Sequence, residues 1–224
     1  MSELYQVFYD DSQLPELYPF AIPYDNRGKL TVFFESSVIA KLVMETKADR
    51  IGVCSWKLRA KQRGFYIGRP KPITQEVIEG DYDILSFTKN TKYHTMLALA
   101  AQSHAYFQPT FDKILAAIGK TRPGEVKNPI YQNAFCCRRE IYQDYVQNWL
   151  SPSMEVMEND SEIKNLCFKD SNYSNLSGES AANLQKQIGL NYFPMHPFLL
   201  ERLFSVYHNV MKIKVTYNDQ PYPS

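Results

Sequence analysis

Four cations stand at alternate positions in the segment Ile51 to Arg63, IGVCSWKLRAKQR: Lys57, Arg59, Lys61 and Arg63. Successive side chains of an extended chain point to opposite faces, so an extended reading aligns all four as a rail of positive charge suited to phosphate. The rail would leave the end of a buried strand, Ile51 to Ser55, and open α/β sheets hold their ligands at the carboxyl ends of their strands. A solvated sheet edge guarded by Lys and Arg is the ordinary alternative for the same residues.

The strand-end rule collects further candidates: Asp10 and Asp11, then Ser55, Trp56, Lys57 and Arg59, then Thr88, Lys89 and Asn90, then Arg138, Arg139 and Glu140. Such a set could bind a nucleotide diphosphate, with a ring for stacking, cations for the pyrophosphate and a carboxylate for a sugar hydroxyl or a metal. Asp81-Tyr82-Asp83 is a literal Asp-x-Asp. It precedes the strand expected at Asp83 to Phe87, so it reads as a turn at the opposite end of the sheet. His196 stands beside a helix start and within reach of Glu201, and reads as a residue of the cap region. Glycine-rich phosphate loops, nucleophile elbows and His or Cys sets at metal-ligand spacing are absent from the sequence, which argues against kinases, common hydrolases and dinucleotide-dependent dehydrogenases.

These residues need a scaffold, and the hydrophobic pattern supplies one. Gln6 to Tyr9 reads as a strand, Phe34 to Lys47 as a helix with Val38, Ile39, Leu42 and Val43 on one face, and Ile51 to Ser55 as a second strand. A strand, crossover helix, strand unit makes a parallel sheet. Pro15, Pro19 and Pro23 mark Leu14 to Asn26 as an irregular loop. A short helix at Pro72 to Gly80, helices at Lys92 to His104 and Phe111 to Ile118, a core strand at Ile130 to Cys137 and a helix from Arg138 to Trp149 continue the alternation. The stretch 160–180, rich in Ser and Asn, reads as a flexible loop. Pro197 starts a helix striped by Leu199, Leu203, Val206 and Val210, and Ile213 to Tyr217 closes an edge of the sheet. The whole is expected to be one α/β domain, 1–224.

At 224 residues and 26.0 kDa the chain can bury a sizeable core. Twenty-five Lys and Arg against 24 Asp and Glu leave no global field to steer it onto nucleic acid. The start MSELYQVFYDDSQ does not read as a secretory signal, and no stretch approaches a membrane span, so a cytoplasmic location is expected. None of the four cysteines forms a Cys-x-x-Cys pair, and buried free thiols are expected. Sixteen Tyr and 13 Phe supply rings for a core or for stacking on sugars and bases.

Three blocks in order carry a resemblance. IGVCSWKLRAK, NPIYQNAFCCRREIYQDYVQNWLSP and HPFLLERLFSVY resemble segments of bacterial glycosyltransferase-like proteins from capsule and exopolysaccharide biosynthesis, and EGDYDILSF lies where those proteins have an acidic turn before a strand. The resemblance implies a GT-A-like (Rossmann-like), mainly parallel sheet flanked by helices, and transfer of a sugar from a nucleotide-sugar donor to a glycan acceptor. Carried over residue by residue, it marks Ser55, Trp56, Lys57, Asn133, Glu201 and Arg202. With Asp10, Asp11 and Arg59 from the strand-end rule, these form the expected donor and substrate site. Glu201 is the candidate base for the acceptor hydroxyl; an architectural Glu201–Arg202 pair is the alternative. The turn here is Trp-Lys where the family usually has Tyr-Arg, and no Asp-x-Asp falls at the carboxyl edge. Dependence on a divalent cation (manganese or magnesium), its ligands, and a non-catalytic glycan- or nucleotide-binding role therefore stay open.

Overall fold

The computed structural model describes residues 1–60, 71–89, 96–124, 126, 129–130, 132–172 and 178–218. Lys61, Arg63 and Asn90 of the expected site lie outside them. The described residues form a six-stranded sheet in the order β2-β1-β3-β5-β4-β6. Its strands are β1 Ser2–Phe8, β2 Ile22–Asp25, β3 Arg50–Ser55, β4 Ile84–Ser86, β5 Phe135–Arg138 and β6 Val215–Tyr217. β1 pairs in parallel with β2 and β3, and β4 with β6. β5 alone runs the other way, antiparallel to both of its neighbours. The protein is thus α/β, with a mostly parallel sheet flanked by helices.

Alternation along the strands builds two cores. Val7, Ile51, Val53, Ile84, Phe135 and Cys137 face the larger cluster; Leu4, Cys54, Leu85, Ala134 and Cys136 face the smaller one. Helix α1 (Glu35–Glu45) crosses from β2 to β3 and buries Val38, Ile39 and Val43 in the larger cluster. The smaller cluster is roofed by Leu58, Ile73 and Ile78, the last from α2 (Gln75–Glu79). α3 (Met96–Ser103) and α4 (Phe107–Ala117) follow. From β5 the chain enters α5 (Arg139–Tyr145), a π-helical turn (Val146–Leu150) and α6 (Ser151–Asn159) without a break. Pro152 comes just after the π-helical turn, where the Ser151 amide bonds five residues back to the Val146 carbonyl and the regular i→i−4 ladder that a proline would interrupt is already broken.

Three expectations are corrected. Leu14 to Asn26 is not wholly irregular: it holds a 3-10 turn, Asp11–Glu16, and the edge strand β2, whose Pro23 is compatible with an outer strand. The stretch 160–180 is not a loop throughout. Asp160 caps α7 (Ser161–Cys167) by accepting from the Ile163 amide at 2.9 Å, and α8 (Gly178–Ile188) begins before 180. The core strand starts at Phe135 rather than Ile130. The last helix, α9 (His196–Val210), has Pro197 in its first turn and a nearly continuous buried face.

Candidate functional site

The parallel register of β1 and β3 pairs Val7 with Ser55, and the Trp56 amide donates to the Val7 carbonyl at 2.9 Å. Asp10 and Lys57 therefore leave the sheet at the same, carboxyl, edge. Because β5 is antiparallel, its beginning lies at that edge, which brings Asn133 there. Its end lies at the other edge, in register with the start of β3: Arg138 opposes Arg50. Arg138, Arg139 and Glu140 are thus removed from the expected ligand edge, because the strand-end rule holds only for strands parallel to their neighbours and β5 is antiparallel. Asp81 and Asp83 stand with them at the amino edge, where Arg138 contacts both.

The residues at the carboxyl edge have definite local tasks. Asp10 caps the 3-10 turn, and its Oδ1 accepts from the Ser12 amide at 2.8 Å; hydrogen bonding to the Ser12 side chain first, then to that amide, lowers its pKa. Asp11 accepts from Arg27 Nη1 at 2.6 Å; Arg27 also grips Asp25, whose pKa its hydrogen bonds lower to about 2, and lies over the Phe8 ring at 5.4 Å. Ser55 is buried, and its Oγ accepts from the Lys57 amide at 3.3 Å. This turn, followed by helical residues 58–60, replaces the extended rail, so Lys57 and Arg59 do not alternate along a strand. Lys57 Nζ lies 5.2 Å from the centre of the Trp56 ring, which packs against the larger core. Arg59 turns inward: its Nη2 donates to the Leu17 carbonyl at 2.9 Å and its guanidinium covers Tyr18 at 4.8 Å. Asn133 is buried with φ 53, and its carbonyl accepts from the Cys54 thiol at 3.2 Å.

Glu201 meets this edge from α9. The starts of α1 and α9 are tied together by rings, Phe33 edge-on to His196 at 5.3 Å and Phe34 against Phe193 at 6.3 Å. Phe34 has φ 50 and ψ -128, a backbone state strained for any residue but glycine, and it places Glu35 at the first position of α1. Between the two helices lies Tyr9, the residue that follows β1. Its hydroxyl is buried and turned to the Glu35 carboxylate, with no partner among the described residues at ordinary hydrogen-bond length. Burial first, then the facing carboxylates of Glu35 and Glu201, push its pKa well above the usual value, so it stays a donor at neutral pH.

Glu201 Oε2 lies 3.7 Å from Arg202 Nη1, with side-chain exposures of 22% and 17%. Arg202 also donates to the Phe198 carbonyl at 2.6 Å and covers the Phe107 ring at 5.4 Å. His196 is a buried ring wedged between Phe33 and Phe168, and burial lowers its pKa to about 4.

The sequence reading missed Tyr9, Glu35, Asn26 and Arg27. Tyr9 could have been collected by the strand-end rule, one residue before Asp10. Glu35 is an acid in a helix first turn, a common feature with no ligand signal of its own. Asn26 and Arg27 follow β2, the strand that Pro23 disguised; among the described residues, the buried Asn26 Nδ2 and, across the sheet, Thr88 Oγ1 also have no hydrogen-bond partner. Among the described residues no group of three or more His, Cys, Asp or Glu could hold a metal ion. Asp11 and Asp25 are both engaged by Arg27. No helix among the described residues is long and apolar enough to cross a membrane. Comparison of the chain with protein families, with curated proteins and with solved structures finds no match.

Proposed function

We propose that this chain is a glycosyltransferase of GT-A-like fold that moves a sugar from a nucleotide-sugar donor to a hydroxyl of a glycan. One observation carries the reading: the buried Tyr9 hydroxyl faces the carboxylates of Glu35 and Glu201 at the carboxyl edge of the sheet. The phenol has no hydrogen bond of ordinary length among the described residues, and a sugar hydroxyl can both accept from a phenol and donate to a carboxylate. Glu201, partly exposed and steadied by Arg202, takes the acceptor proton as general base. Tyr9 and Glu35 orient the hydroxyl, and Trp56 with Lys57 meets the donor. No step is routed through a metal.

A second reading, a binding protein of the same fold without turnover, is favoured by the inward commitment of Arg59 and Arg202 to backbone carbonyls and rings. One experiment separates the two. A panel of nucleoside diphosphates and nucleotide sugars, with and without manganese, is screened for thermal stabilisation, and each stabilising donor is then assayed for release of the nucleotide. Stabilisation with release supports the transferase, stabilisation without release a nucleotide-binding protein, and no stabilisation by any member refutes both of these.

A further inference from the structure

The amino edge of the sheet carries a feature that the proposed transfer does not use. A concavity of about 270 Å3 opens there between Asp49, Arg50, Arg138, Arg139 and Glu140. Arg50 and Arg138 stand opposite one another on β3 and β5, and both reach one oxygen: Asp81 Oδ1 lies 3.3 Å from Arg50 Nη2 and 3.0 Å from Arg138 Nη2. Arg138 Nε lies 3.2 Å from Asp83 Oδ1. The partners differ in their setting. Arg50 is 17% exposed in its side chain, lies over the Tyr82 ring at 5.2 Å and keeps a buried Nε without a hydrogen-bond partner, whereas the Asp81 side chain is 89% exposed. The guanidinium is therefore the fixed member and the carboxylate the replaceable one. Arg139 Nη1 donates to the Lys47 carbonyl at 3.0 Å beside them.

We infer that the Arg50–Arg138 pair bordering this concavity is an anion site for the phosphoryl group of a small metabolite, where Asp81 stands as an internal carboxylate that the ligand displaces. Guanidinium groups present paired, planar N–H donors that match phosphate oxygens and remain charged at any working pH. A carboxylate already shared between two of them marks where an anion is best held. The surroundings set the size of the ligand. Glu140 and Asp49, the latter held by the Met1 amine at 2.6 Å, line the same concavity, so a compact dianion fits, whereas an extended polyanion would meet carboxylates on either side. The site is independent of the transfer proposed at the other edge.

Calorimetric titration of the full chain with inorganic phosphate, at ionic strength held constant with chloride, tests this. Saturable binding is expected, tightened about two- to fivefold by Asp81→Asn, the scale of an exposed ion pair that no longer competes. Arg138→Gln should weaken it by about tenfold or more, as loss of a charge-assisted hydrogen bond does. Absence of saturable binding, or an affinity unchanged by Asp81→Asn, overturns the assignment. So does binding that survives Arg138→Gln, which places the phosphate elsewhere, the basic turn after β3 included. Acetate binding as tightly as phosphate overturns the phosphoryl specificity. If Arg138→Gln does not fold, Asp81→Asn decides alone, because the Asp81 side chain lies in solvent.

Discussion

Gly52 lies against Leu4 so closely that a Cβ on the glycine would stand 2.7 Å from Leu4 Cδ1 and 2.8 Å from the Phe135 carbonyl oxygen. The contact holds β1, β3 and β5 together on the face of the smaller core. A carbonyl in a sheet cannot withdraw as a flexible side chain can. Gly52→Ala is expected to destabilise the protein by about 1–3 kcal/mol, the range for overpacking a dense core, read as a lower urea midpoint with unchanged slope. A midpoint equal to that of the parent would show that the sheet yields locally.

His196 makes stability depend on pH in a defined direction. Burial lowers its pKa to about 4, against about 6.5 in an unfolded chain. Between those values the unfolded chain binds a proton that the folded chain does not, so stability falls as pH drops from about 6.5 towards 4 and this residue has no effect above that window. His104, whose pKa burial also lowers, acts in the same direction. Denaturation curves at several pH values should show His196→Gln with a shallower loss of stability on acidification. An identical slope in parent and variant would mean that the ring takes up its proton as readily in the fold as in the unfolded chain.

Arg59 is expected to matter for the loop it holds. Arg59→Gln removes the charge-assisted bond to the Leu17 carbonyl and the cover over Tyr18, a loss of roughly 1–3 kcal/mol. Limited proteolysis should then cut within residues 14–21 faster than in the parent. Equal cutting rates would show that the Tyr18 amide bond to Gln6 Oε1, at 2.6 Å, suffices alone.

Glu201→Gln keeps the shape and most hydrogen bonding of the side chain. Once a donor is identified, transfer should fall by about a hundredfold or more while thermal stability and donor affinity hold. Early melting with unchanged activity per folded molecule would make the residue architectural, through its pairing with Arg202.

The β1-α1-β3 unit was legible because its signals are local: apolar alternation, then a helical stripe, then a buried run. The direction of β5 was not. FCCR reads as buried in either orientation, and only pairing with strands far away in sequence decides it. That single reversal sends Arg138, Arg139 and Glu140 to one edge and Asn133 to the other. Asp10, Ser55, Trp56 and Lys57 do reach a common edge, as the strand-end rule requires. The meeting of Tyr9, Glu35 and Glu201 was illegible, because it depends on how α1 and α9 pack through Phe33, Phe34, Phe193 and His196. Polar helices such as Ser161–Cys167 escape a hydrophobic-pattern reading because only Ile163 and Cys167 are buried along them.

The place of β5 also has a temporal meaning. Its two neighbours, β3 and β4, precede it in the chain, so until residues 135–138 have left the ribosome each of them shows an unpaired backbone edge where β5 belongs. Those edges are templates for pairing with another copy, and closing the gap is a non-local event of the kind that slows folding. A nascent chain halted before β5 would therefore be the form most prone to self-association, and the joining of β3 to β4 would wait for the strand that lies between them.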